Sequence, residues 1–136
     1  ARSAIFRTAF LSAAMTGDFG GTWTLTQLVG AARARELYLL NDKVSAERAV
    51  ELGLVNLVVD DEILMSRVSE IAAGLAAAAP LAVRGIKANL NDAARLDFSA
   101  ALDAEAERHL RAAFSDDCAE AARAFVDKRT PVFTGR

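Results

Sequence analysis

Residues 16–30 read TGDFGGTWTLTQLVG, three glycines around a single acid, followed by an amphipathic run. Leu25, Leu28 and Val29 recur at helical spacing, which predicts a helix that Gly30 ends. Thr24 with Gln27 fits a capping box at its start, and Trp23 is expected to pack under the glycine turn. Asp18 has two readings on spacing alone. A carboxylate ahead of a helix accepts backbone N–H bonds and complements the dipole, a contribution of about 1 kcal/mol. The other reading is chemistry.

Downstream, AARARELYLLN continues as a second helix with Ala34, Leu37 and Tyr38 facing inward. Ser45 suits the cap of a short helix in SAERAVELG, and Gly53 suits its stop. LVNLVV, bounded by Gly53 and Asp60, has the β-branched content of a strand. Asp60 and Asp61 then open a helix with a stripe of Leu64, Val68, Ile71 and Leu75. Pro80 fits the first turn of the next helix, Asp97 caps another, and Ser115 or Asp116 caps the last. The second half is therefore expected to be nearly all helix. Upstream of the glycines, AIFRTAF leaves strand and irregular structure both open.

Of the 136 residues, 53% are hydrophobic, enough to bury a core. Alanine supplies much of that share and buries little area per residue, so the apolar stripes call for partner surfaces and an oligomer. The 16 basic and 18 acidic residues leave a formal charge of −2, which gives no field to draw in nucleic acid or an anionic membrane. The longest apolar stretch, Gly74 to Val83, falls short of the ~18 residues of a membrane span. A single cysteine, Cys118, forms no internal disulfide, and the first residues lack a secretory signal, so a cytoplasmic setting is expected. An opening at Ala1 without Met reads as the middle of a longer fold.

No HExxH, CxxC or GxSxG pattern supports a zinc site or a nucleophile triad, and no metal is expected. The glycines at 17, 20 and 21 lack the Gly-Lys-Ser/Thr of a phosphate loop. His109 reads as a surface or interface residue and Cys118 as a small core residue on a helix face.

The stretch GDFGGTWTLTQLVGAARARELYLLNDKVSAERAVELGLVNLVVDDEIL, followed by PLAVRGIKANLN, resembles the crotonase (enoyl-CoA hydratase/isomerase) superfamily. The ordered series carries it: GGT before a helix, LVG, A-x-E-L, S-A-E-x-A-x-x-x-G-L-V, V-V-x-D, P-L-A-x-x-x-x-K and a closing AF-x-x-KR-x-P-x-F. The resemblance implies an α/β fold, a spiral of ββα turns of which only the last part falls in residues 1–59. A mostly helical region, residues 60–136, would then drive assembly into a homotrimer or a hexamer. It also implies an acyl-CoA thioester substrate, with coenzyme A part of that substrate and no separate cofactor. The oxyanion donors and most of the adenine site would lie upstream of Ala1.

Site residues follow from the same resemblance. Where hydratases carry a glutamate this chain has Phe10, and where the family has a proline before the turn it has Gly17. Asp18 falls where one branch, similar to ring-epoxide and enoyl-CoA isomerases, reads P-D-x-G-G-T-W and uses the aspartate as acid/base. Dehalogenase-like members use that position as a nucleophile. Phe10, Phe19, Gly21 and Trp23 would surround the acyl group, and a carboxylate so walled would be partly desolvated and more basic. Phe125 and Lys128 match positions that, in the family, approach coenzyme A from a neighbouring subunit, Lys128 facing a phosphate and Phe125 packing near the adenine or pantetheine. The implied chemistry is movement of a double bond or proton on an enoyl thioester by Asp18. The rivals are hydration by an upstream glutamate, aspartyl-ester hydrolysis or dehalogenation, and a truncated module without catalysis.

Overall fold

Helix α1 (Gly21–Leu40) begins at the glycine turn and breaks at Gly30, whose φ of 78° and ψ of 162° lie in a region that only glycine occupies cheaply. The break matters for distance. In an unbroken helix Gly21 and Tyr38 would stand about 25 Å apart along the axis. Here a Cβ built on Gly21 would lie 2.8 Å from the Tyr38 hydroxyl, so the second half of α1 folds back on the first. The computed structural model that shows this describes residues 1–136, which divide into two compact units, Ala1–Val68 and Ser69–Arg136. Their boundary falls inside a helix, after Val68.

In the first unit, β1 (Ile5–Phe6) pairs antiparallel with β2 (Val44–Ser45), Ile5 opposite Ser45 and Phe6 opposite Val44. This settles the ambiguity of AIFRTAF as a short strand leading into irregular chain. Ser45 also caps α2 (Ala46–Glu51), its hydroxyl accepting the Arg48 N–H at 3.2 Å. Buried Asn41 ends α1 in the left-handed region (φ 58°), which an asparagine tolerates better than most residues. Its Oδ1 accepts the Ala9 N–H at 2.9 Å, its Nδ2 donates to Ser12 at 2.6 Å, and its carbonyl accepts from Arg7 at 2.8 Å. One residue thus pins residues 7–12 to the end of α1.

Two sequence expectations fail in this unit. The Thr24–Gln27 capping box does not form, because the helix already starts at Gly21 behind a left-handed Gly20, and the Thr24 hydroxyl donates back to the Gly20 carbonyl at 2.9 Å. The run Leu54–Val59 is not a strand but bends and extended chain. Its first N–H groups turn back to the Ala49 carbonyl, and one ladder-like bond, Arg2 N–H to Val59 O at 2.9 Å, is too little pairing to make a sheet.

Helix α3 (Leu64–Ala76) follows a 3₁₀ turn at Asp61–Ile63. The second unit holds α4 (Pro80–Ala93), α5 (Phe98–Ala113) and α6 (Asp116–Val126), with Pro80 in the first turn as expected. Asp97 accepts the Ala100 N–H at 2.9 Å and Ser115 the Cys118 N–H at 3.1 Å, the caps the sequence predicts. Arg108 on α5 donates to Asn89 at 2.8 Å and Asp92 at 2.6 Å on α4, tying those two helices together. The Arg108 guanidinium holds the Asp92 carboxyl below the usual carboxylate range. Buried Asp117 accepts the Thr134 N–H at 2.7 Å and the Gly135 N–H at 2.9 Å, fastening the chain's last residues onto α6.

The expected large core is absent from the chain. Its buried hydrophobic residues are Ala34, Val44, Ala46, Ala49 and Ala124, and no large side chain is fully buried. Two separate compact bodies of about 7 kDa each would expose about 8,200 Å² together. The chain exposes 10003 Å². Val68, Ile71 and Leu75 of the α3 stripe, Ile86 and Leu90 of α4, and Leu102 and Leu110 of α5 all contribute to that excess. The apolar stripes are real, and these side chains of them stay exposed.

Candidate functional site

Asp18, Phe19, Gly20 and Gly21 form a tight turn. The Gly21 N–H donates to the Asp18 carbonyl at 2.8 Å, and both central residues have positive φ, 48° at Phe19 and 72° at Gly20, as in a type I′ turn. Gly17 enters the turn at φ 116°. A proline, fixed near −65°, cannot take that conformation.

The Asp18 side chain is exposed and makes no hydrogen bond or ion pair within the chain, and the helix carries no side-chain cap. The capping reading of Asp18 is therefore not realised. Neither is the expected apolar wall around it. Phe19, turned outward by its left-handed backbone, is fully exposed, and Trp23 is 57% exposed. The residue packed under the glycine turn is Tyr38, not Trp23. A Cβ at Gly17 would touch the Tyr38 ring at 3.5 Å, and Gly21 abuts its hydroxyl.

Phe10 is held against that same ring. It starts the 3₁₀ turn Leu11–Ala13, its carbonyl accepts the Ala13 and Met15 N–H groups at 3.0 Å, and its ring stacks on Tyr38 with centroids 6.1 Å apart and planes inclined by 10°. Phe10 and Tyr38, with Met15, Thr22, Thr26 and Leu39, line a largely apolar cavity of about 500 Å³. Asp18, Phe19 and Trp23 are not among its lining residues. The structure thus brings Phe10 and Gly21 together through Tyr38 and leaves the other three on the solvent side of the turn. The sequence pattern places Tyr38 facing inward but gives it no role. The signal for one was the glycine at 30, which shortens the distance between residues 21 and 38.

In the second unit, Phe125 in the last turn of α6 is 85% exposed and Lys128, with φ 55°, is exposed just beyond it. Next to Lys128, Arg129 pairs with Glu120 through two bonds of 2.5 and 2.9 Å. That guanidinium, helped by the Val132 N–H, holds the Glu120 carboxyl down to about 2. Cys118 is exposed in the first turn of α6, not part of a core, and His109 is exposed on α5. No three His, Cys, Asp or Glu side chains cluster as a metal site would require, and no single helix is long and apolar enough to cross a membrane.

The family model for enoyl-CoA hydratase/isomerase matches residues 1–136, and the chain belongs to that family. It is 40% identical over its whole length to the 1,2-epoxyphenylacetyl-CoA isomerase of Escherichia coli K12, covering 52% of that protein. It is 36% identical over 115 residues to a short-chain-enoyl-CoA hydratase of Clostridium acetobutylicum, covering 85% of this chain and 44% of that one. Among solved structures, an enoyl-CoA hydratase from Bacillus anthracis superposes with a TM-score of 0.95 at 32% identity, over 99% of this chain and 52% of the other. The fold is thus the crotonase fold, and the chain spans about half the length of the curated relatives it matches.

Proposed function

We propose that this chain contributes to an acyl-CoA-processing enzyme that moves a double bond or a proton on an enoyl-CoA thioester, with Asp18 as the acid/base. The observation that carries the reading is a carboxylate without a structural role. Asp18 caps nothing and pairs with nothing, yet its backbone is fixed by a closed turn. Identity of 40% across the whole chain to a protein named an acyl-CoA isomerase supports it. In this chemistry the carboxylate removes a proton from a carbon next to the double bond, the electrons delocalise toward the thioester oxygen, and the same carboxyl returns the proton two carbons away. One base suffices, and no cofactor is consumed. In this reading Phe10, Phe19, Gly21 and Trp23 border the acyl group, and Phe125 and Lys128 meet the coenzyme A of a neighbouring subunit, Lys128 as a point charge for phosphate.

Hydration with a glutamate from elsewhere is the second reading, favoured by the 36% identity to a protein named a hydratase. Phe10, at the position of the second hydratase acid and stacked on Tyr38, weighs against it. The exposed stripes of α3 to α5 support assembly as a homotrimer or hexamer, and the lone thiol of Cys118 supports a reducing, cytoplasmic setting.

The test is turnover of 3-enoyl and 2-enoyl coenzyme A thioesters by the native full-length protein and its Asp18→Asn variant. Isomerase turnover is expected to fall about 10²- to 10⁴-fold with assembly intact. Unchanged turnover rejects Asp18 as the acid/base, and hydratase activity that survives the substitution favours the second reading.

A further inference from the structure

We propose that Tyr38 is the positioning residue for the Asp18 turn, a role that rests on the reading of Asp18 as acid/base. No side chain touches the carboxylate by a hydrogen bond, so its place is set by the backbone of residues 17–21 alone. Both ends of that backbone lean on one side chain: the Tyr38 ring lies 3.5 Å from a Cβ position on Gly17, and its hydroxyl lies 2.8 Å from one on Gly21. The ring also stacks on Phe10, whose loop is pinned by Asn41. Tyr38 is therefore a wedge between a fixed loop and the turn. Misplacing a reacting group by about 1 Å costs on the order of 10²-fold in rate, so loss of the wedge acts on the chemical step more than on binding.

Gly21 separates this role from a general stabilising one. As the first residue of a helix it gains from substitution by alanine, unless the added methyl meets the tyrosine hydroxyl. Four variants of the native full-length protein are compared: Tyr38→Ala, Tyr38→Phe, Gly21→Ala and the Gly21→Ala/Tyr38→Phe pair. The readouts are kcat and KM for isomerisation and amide hydrogen exchange of residues 16–22.

Tyr38→Ala is expected to lower kcat about 10- to 100-fold with KM within about threefold, and to speed exchange in the turn. Tyr38→Phe, which keeps the ring, retains most of kcat. Gly21→Ala loses about tenfold alone and recovers most of it in the Tyr38→Phe background. Wild-type kcat and exchange in Tyr38→Ala would overturn the proposal, as would equal harm from Gly21→Ala in both backgrounds. If Tyr38→Ala does not fold, the Gly21→Ala pair decides. Unchanged turnover in Asp18→Asn sinks the functional reading instead, while turn exchange and the Gly21–Tyr38 coupling still report whether the wedge holds the turn.

Discussion

Replacing Asp117 by alanine should release the last residues of the chain while leaving α6 in place. The Asp117 carboxylate belongs to a residue 3% exposed and accepts two backbone N–H bonds, from Thr134 at 2.7 Å and Gly135 at 2.9 Å. Bonds to a charged acceptor contribute about 1.5–3 kcal/mol each, and at the lower value the pair is worth about 3 kcal/mol to the docked tail. That corresponds to a factor of about 150 between docked and open tail. The loss is capped there, because an undocked tail hydrates its own N–H groups instead of leaving them buried and unpaired. Hydrogen exchange by NMR reads the effect directly. Thr134 and Gly135 should exchange about a hundredfold faster in Asp117→Ala, with amides in the middle of α6 little changed. Asp117→Asn keeps one oxygen and should fall between the two. Exchange at Thr134 and Gly135 as slow as in the wild type would refute the reasoning, for it would mean that the Glu120–Val132 bond, the Asp117 N–H bond to the Arg136 carbonyl and the packing of Pro131 and Phe133 hold the tail without the carboxylate.

The same tail carries a pH prediction. Glu120, bonded to Arg129 and to the Val132 N–H, has its carboxyl lowered from its ordinary 4.5 to about 2. A lowered folded value contributes stability above the unfolded value and loses it as pH falls through the folded one. Protection of Val132 from exchange should therefore hold at pH 5 and disappear progressively between about pH 4.5 and 2. Glycine substitutions should split by sign. Gly17→Ala, at φ 116°, should cost about 1–3 kcal/mol in a denaturant titration, whereas Gly74→Ala, in helix α3 with open space where its Cβ would lie, should gain about 0.5–1 kcal/mol.

The helices of this chain were legible because their signals are local. Ser45, Asp97 and Ser115 cap where a short polar side chain precedes an apolar stripe, and Gly30 breaks where its conformation demands no Cβ. The strand expected at Leu54–Val59 was not, because five apolar residues in a run of six describe a surface that wants cover and do not supply a ladder to provide it. The caps also explain why spacing alone left Asp18 with two readings. A carboxylate near a glycine-started helix looks like a cap, yet the turn's own carbonyl takes the first N–H and leaves the side chain free. Tyr38 was read as inward-facing but not as part of the site, since its contact with Gly21 depends on the angle of a kink, which no residue pattern specifies.

The fold-back at Gly30 also bears on the order in which the protein is made. The turn, its tyrosine wedge and the asparagine that anchors the loop behind it all lie between Ala9 and Asn41. Closing so short a stretch costs little chain entropy and proceeds on the fast timescales of local contacts. The apolar stripes farther along the chain offer no comparable local closure, for their side chains stay exposed. The geometry around Asp18 is therefore built from nearest neighbours in sequence, so it can form early and independently of them.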